Sequence, residues 1–492
     1  MGPGAFIAIV SFLILGRSQM PVQPVRTSAR RDQFFGLGSR LPNLCWTSAN
    51  SLTQNCPGAT ATDVRFVVAG RSKIQTTAPT GGASGLPATT ESGTREVQGV
   101  PGKPAKAAGS LAPARVTRVA TRRDRHAFAA VPEAIYSHDR HWIAPLRSST
   151  MRALDPQKNA IRQEAFIEHF VAHDRRGDCV GRVAAVIHPA HIRRHGSKAF
   201  FGQFECVNDP RVAERLLAAV EVWAADRGIS TVQGPCTYTM TQEAGLLVSG
   251  FDSPQVALQA YNPPYYQELL AAAGYEPAFH MSTFVVPRDS RAVAHAMHHG
   301  DVAAEHLGLF ARTLKMNRFD QDLEQIRLCY NRAFATHPET AAISRAVFAD
   351  QAREMKGIVD PRLVRILGRD GNTVAFAVGI PNVNEILAKT RGRLTLGQIL
   401  RFKRRLATVQ SAVVVMVGAD PEASGGQRPG AHSAYGIGSA LAAQIAHSVS
   451  DTPYRTIYTT WIHDANWRAR ALMRAIGAQQ QRRYAIFQKD FG

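Results

Sequence analysis

The chain has 492 residues, with 58 Lys+Arg against 38 Asp+Glu for a formal net charge of +20, and 45% of its residues are apolar. That length suits two or three domains with buried cores, and the composition excludes a wholly disordered or fibrous protein. The longest apolar run, residues 5–15, falls well short of the roughly 20 residues a spanning helix needs, which argues against a membrane span. Six cysteines lie scattered with no C-x-x-C pair, as expected of reduced, cytoplasmic thiols rather than of a disulfide scaffold or a structural zinc site.

In chain order, residues 1–115 come first. They hold 12 Lys+Arg and 4 Asp+Glu, a balance of +8, which leaves +12 for the other 377 residues. From Gln19 to Ala114 the chain is rich in Gly, Pro, Ser, Thr and Ala without apolar periodicity, and such a segment buries too little surface to offset its chain entropy. It is expected to be a disordered extension. The apolar run inside the first 20 residues has signal-peptide length, but no Lys or Arg precedes it and no A-x-A site follows, so a start placed too far upstream is the preferred reading. Basic residues are not interleaved with aromatics and no nucleic-acid module is present, so no nucleic-acid partner is expected.

From about residue 116 strand and helix patterns alternate. "CVGRVAAVI" (179–187) and "AFFGQFECV" (199–207) predict strands. Asp209-Pro210 then predicts a helix start, with Val212, Leu216, Val220 and Trp223 at helical spacing before Gly228. A strand at 230–235, a polar glycine-bearing stretch at 237–263, a helix ending at Gly274 and the strand-like "HMSTFVVP" complete this half. The order recurs downstream. A hairpin spans 363–381 with an Asp-Gly turn, then come a buried strand at 411–419, a helix at 436–449, a strand at 455–462, a helix at 466–477 and a closing strand at 482–489. The predicted fold is α/β, two tandem units with mixed central sheets over 116–300 and 301–492, preceded by the tail.

The second unit carries Gly436-x-Gly438 at a helix start after a buried strand, then Asn466, Ala469 and Gly477 in the next helix. With "GFDSPQV" (250–256), "YNPPYYQELLAAAGYE" (261–276), "IVDPRLV" (358–364) and "ARALMRAIGA" (469–478), this resembles the bacterial two-domain GNAT-like proteins of the N-acetyltransferase superfamily, over about three quarters of the chain. The resemblance implies an N-acyltransferase that uses acetyl-CoA or another acyl-CoA as substrate, needs no metal, and acts on a small-molecule amine. Glycines at a helix start let backbone N–H groups approach the CoA pyrophosphate. The implied cofactor-binding residues are Val415, Met416 and Val417 on the strand, Tyr435, Gly436, Ile437, Gly438 and Ser439 at the turn, and Asn466. Two departures stand out. Ser433 replaces the Arg or Gln the superfamily places three residues before the first glycine, and Met473 stands where many members carry the tyrosine that protonates the leaving thiolate.

Candidate catalytic groups are therefore His463, just past a strand end, Glu243 as base, and Tyr484 as an alternative acid. The first unit has no Gly-x-Gly before its helix at 211, so it is expected to pack against the other unit or hold the acceptor. Tyr238, Gln242, Asp252, Asn262 and Tyr265 are the candidate substrate residues; turns whose side chains satisfy the backbone are the equal alternative. His188, His191 and His195 are read as loop histidines rather than a metal site, and "ILRFKRRL" (399–406) as a solvated basic helix face. Two further functions stay open: a non-catalytic ligand-binding protein, favoured by Met473 and Ser433, and a Fem-type aminoacyl-tRNA-dependent transferase.

Overall fold

A computed structural model describes residues 115–288, 290–335, 337, 339–424 and 436–491. The tail through residue 114, with its apolar run, and Ser433 and Tyr435 lie outside them. The strands are β1 (Arg115–Arg118), β2 (Phe166–His173), β3 (Cys179–Ile187), β4 (Ala199–Cys206), β5 (Thr231–Gly234), β6 (Leu246–Ser249) and β7 (Glu276–Pro287) in the first half. The second half supplies β8 (Phe310–Thr313), β9 (Val364–Arg369), β10 (Asn372–Pro381), β11 (Ser411–Ala419), β12 (Thr456–Thr459), β13 (Ile462–His463) and β14 (Gln479–Asp490). They form one mixed sheet of order β1-β2-β3-β4-β5-β14-β7-β12-β11-β10-β9-β8.

The order is near-symmetric about its centre. Each half begins with antiparallel strands and ends them in a parallel pair, β4 with β5 and β11 with β12. The last strand of each half then crosses over: β7 pairs with β12 of the second half, and β14 pairs with β5 of the first. Between them β7 and β14 run antiparallel from Gln479↔Val285 to Gln488↔Glu276. The strand expected to close the chain therefore lies at the middle of the sheet rather than at an edge. It can do so because Tyr484, Ala485, Ile486 and Phe487 are all buried, a run that fits a strand covered on both faces.

Helices cover both faces. Pro210–Ala225 starts where the sequence predicts, with Asp209 accepting the Arg211 N–H at 3.0 Å, and buries Val212, Leu216, Val220 and Trp223. Ile437–Ser450 packs against Arg291–His306 so closely that a Cβ at Gly300 would collide with the Ser439 carbonyl oxygen and the Ala443 side chain. Only glycine lets the two backbones meet there. The strand expected over 455–462 is broken: Thr460 and Trp461 leave the ladder, because the Thr460 hydroxyl donates to the Val415 carbonyl at 3.1 Å and the chain turns toward β7.

Candidate active site

Both parallel pairs part. In the first half β4 and β5 stay in register only through Ala199↔Val232 and Phe200↔Gln233. A bulge follows in β4, where Gln203 sits at φ 49° and leaves the ladder with β3. In the second half β11 and β12 pair through Val414↔Thr459, and β11 bulges between Val414 and Met416. Past those points the first pair is held by the Cys236 N–H on the Phe201 carbonyl at 2.9 Å, and the second by Thr460, whose N–H donates to the Val414 carbonyl at 3.0 Å and whose hydroxyl donates to the Val415 carbonyl at 3.1 Å, before the strands separate.

The first opening holds a cavity of about 140 Å³ that communicates with solvent. Its wall includes Gln203 and Glu205 from β4, Pro235 to Tyr238 after β5, Glu243, Asn262 and Tyr266. Glu205 is nearly buried, at 13% side-chain exposure, and accepts hydrogen bonds from the Tyr136 and Tyr266 hydroxyls, each at 2.8 Å. Arg182, its cross-strand partner, stands 3.6 Å away. Burial raises the Glu205 carboxyl above its usual range, and the Arg182 charge and the two hydroxyls oppose that rise. A second chain of contacts reaches the wall from behind. Arg162 donates to His169 Nδ1 at 3.2 Å, so Nε2 carries the proton and donates to the Tyr238 hydroxyl at 3.2 Å. Burial, with the Arg162 charge, pushes the His169 pKa down to about 3, so the ring is neutral and the tautomer fixed.

Of the sequence-predicted substrate residues, Tyr238 and Asn262 line this cavity together with the candidate base Glu243. Gln242 lines an adjoining hollow of about 40 Å³ that shares Tyr238. Asn262 is also structural, since its side-chain amide accepts the Leu247 N–H at 2.7 Å and donates to the Leu247 carbonyl at 3.2 Å. Two others lie elsewhere. Asp252 is exposed, and Tyr265 donates its hydroxyl to the Cys206 carbonyl at 2.9 Å. Tyr484 is buried at 1% exposure with its hydroxyl on the Ala260 carbonyl, 3.2 Å away, and burial raises its pKa, so the geometry favours packing over proton donation.

The second opening gathers the expected acyl-CoA residues. Val415, Met416 and Val417 lie on β11 past its last ladder pair with β12, half-buried, and Gly436 caps the helix that begins at Ile437. Among the described residues, a Cβ at Gly438 would meet nothing within 4 Å. Asn466 caps the next helix instead, its side chain accepting the Ala469 N–H at 3.1 Å. His463 stacks on Phe279 at 4.6 Å with the rings 22° apart; its Nδ1 accepts the Ala465 N–H at 3.0 Å, and burial lowers its pKa. Met473 is buried at 2% exposure in the core.

Sequence reasoning missed Glu205, Tyr136 and Arg182. "FFGQFEC" was quoted as a strand, yet the glutamate at an otherwise apolar position was its only signal, and the partner tyrosine lies 69 residues upstream.

No family model matches the chain. Two curated proteins are similar to it: Protein YghO of Escherichia coli (strain K12), 26% identical over 75% of this chain and 93% of that protein, and the Bacterial ceramide synthase of Caulobacter vibrioides, 27% identical over 74% and 94%. Among solved structures, a GCN5-related N-acetyltransferase from Sphaerobacter thermophilus matches at 14% identity and TM-score 0.42, over 77% of this chain and 96% of that one. A tandem GNAT protein from the clavulanic acid biosynthesis pathway matches at 14% and 0.44 over 77% and 99%, and Saccharomyces cerevisiae N-myristoyltransferase with bound myristoyl-CoA at 8% and 0.42 over 79% and 81%. The solved structures similar to the chain thus include GNAT proteins, one of them tandem, and an N-myristoyltransferase.

Proposed function

We propose that the protein transfers an acyl group from acyl-CoA to the primary amine of a long-chain amino alcohol, forming an amide. The observation that carries this reading is the pair of parted parallel strands, one opening onto a cavity and the other onto a helix start. The acceptor class is supported by the likeness to a ceramide synthase across nearly all of that protein. In this reading the pantetheine arm extends along β11 at Met416 and Val417, beyond the Val415 carbonyl that Thr460 occupies, and the pyrophosphate rests on the first turn at Gly436 to Ser439. The first-half cavity holds the acceptor before transfer, with Glu243 taking a proton from its ammonium, and the amine then moves to the thioester at the β11 edge, across β5, β14, β7 and β12. The amine nitrogen then attacks the thioester carbonyl, a C–N bond forms, the C–S bond breaks, and the thiolate leaves with the proton the nitrogen sheds, passed through water since Met473 has none to give. A backbone N–H on the β11 edge beyond Val415 stabilises the oxyanion.

Calorimetry with palmitoyl-CoA tests the donor half of this proposal. Among the described residues nothing lies within 4 Å of a Cβ at Gly438, so for Gly438→Glu an unchanged melting temperature and at least tenfold weaker binding, about 1.4 kcal/mol, are expected from its charge beside the pyrophosphate. Equal affinity of the variant and the natural protein would remove the site from the second unit.

A further inference from the structure

The second unit carries an insert that the first lacks. The connection from β10 to β11 runs over residues 382–410, where the first half joins β3 to β4 with residues 188–198. The insert is pinned from within: Ile386, Leu387, Phe402 and Val409 are buried in the main core, and Phe402 is 1% exposed. Its outer side is the reverse. Leu396 and Leu400, one turn apart on the helix Leu396–Leu400, are 59% and 67% exposed, among the most exposed large apolar side chains of the described residues. Lys389, Arg391, Arg393, Arg401, Lys403 and Arg404 flank them in the insert's sequence, all exposed, and none forms an ion pair among the described residues. Residues 386–410 contain no Asp or Glu.

Single exposed leucines are ordinary on a protein surface. Two on one helical turn, in a stretch with six exposed cations and no carboxylate after Glu385, which is occupied by the Gln410 and Ser411 N–H groups, match a surface that is both anionic and apolar beneath. We infer that this insert docks the protein on an anionic lipid bilayer, the two leucines entering the acyl boundary and the cations facing the headgroups. Its position gives the docking a purpose. The Arg147 N–H donates to the Gly392 carbonyl at 2.9 Å, and Asn384 donates to the Gln255 carbonyl at 3.0 Å. Pro145 and Gln255 are part of the cavity wall, so the insert is fastened to the rim of the opening assigned to the amine. A bilayer held there presents a lipid amine at the mouth of the cavity. That use of the surface rests on the proposed acyl transfer; the docking itself does not.

Sedimentation of the full chain with vesicles tests the docking without any acyl donor or amine. Vesicles of phosphatidylcholine with a third phosphatidylglycerol are expected to bind at least about tenfold more tightly than phosphatidylcholine alone, and less so as salt rises. Leu396→Ser with Leu400→Ser, and separately Arg401→Glu with Arg404→Glu, should each lower the anionic binding about tenfold with unchanged melting temperature, because all four side chains are exposed. Hydrogen exchange should slow over residues 396–405 when the anionic vesicles are added. Equal binding to both vesicle types, leucine variants that bind as the natural protein does, or exchange that slows elsewhere but not in the insert would overturn the inference. So would single-stranded RNA binding as tightly as the anionic vesicles, which would reduce the patch to a general polyanion site.

Discussion

Arg482 lies at 0% exposure on β14, and its guanidinium is held by the chain of Gly250 to Gln259. It donates to the Gly250 carbonyl at 3.2 Å, the Ser253 carbonyl at 2.6 Å, the Pro254 carbonyl at 2.8 Å and the Gln259 side chain at 3.0 Å. The sequence offered "GFDSP" as a distinctive motif with Asp252 as a substrate residue; the structure shows its backbone wrapped about an arginine 230 residues on, with Asp252 turned outward. Gly250 permits this at φ 91°, where a Cβ would meet the Gln481 carbonyl oxygen at 2.7 Å. The motif was legible, and its purpose was not, because the partner is remote in sequence. Arg482→Met removes the donor from several buried acceptors at once and is expected to cost about 3–5 kcal/mol by urea unfolding. Arg482→Lys should recover only part, since an ammonium cannot span the same fork of acceptors. A loss below about 1 kcal/mol for the methionine variant would show that the loop finds other donors.

At the scale of elements, most strands and helices were readable one by one from apolar periodicity and caps. Asp209-Pro210 at one helix and the Asp-Gly turn at 370–371 are where local chemistry decided the outcome. What periodicity could not give was the order of strands, because pairing between β7 and β12 or between β14 and β5 depends on packing across the whole chain. The repeat suggested two units side by side, and the exchanged last strands tie the two together. A chain cut after Leu307 should therefore yield two fragments that aggregate when made alone, since β5 loses β14 and β12 loses β7, leaving buried strands with open edges. Made together, they are expected to associate into a soluble complex with the circular dichroism of the intact protein. Independent folding of either fragment would contradict the exchange.

For the molecule as a whole, the buried neutral histidines set its response to acid. His169 has a folded pKa of about 3 against an ordinary 6.5, and that of His191 is likewise pushed down to about 3 by burial. Above about pH 6.5 both states carry neutral rings and the groups add nothing to the pH dependence. Below it the unfolded chain takes up protons that the folded one refuses, so stability falls as pH drops toward 3, by up to about 1.4 kcal/mol per pH unit for each ring. His169→Gln should flatten that slope between pH 6 and 4 in urea unfolding; an unchanged slope would mean that the ring opens to water in the folded state.

The same scale holds the functional claim, for the two openings belong to different halves and only the intact sheet brings both into one molecule. The fold class was legible from strand order, and the helix start at Gly436 from its glycines; that this turn holds a ligand is part of the proposal. The first-unit cavity was visible only as a dense set of polar residues, of which Tyr238, Asn262 and Glu243 reached it. The most direct test is to incubate the full chain with palmitoyl-CoA and a long-chain amino alcohol, and to follow free CoA thiol together with the mass of the lipid product. We predict stoichiometric thiol release and N-acyl product, dependent on both substrates, with kcat lowered at least about a hundredfold in Glu243→Gln by loss of the base. Binding of palmitoyl-CoA with neither thiol release nor amide formed would contradict the account and leave a ligand-binding protein in its place.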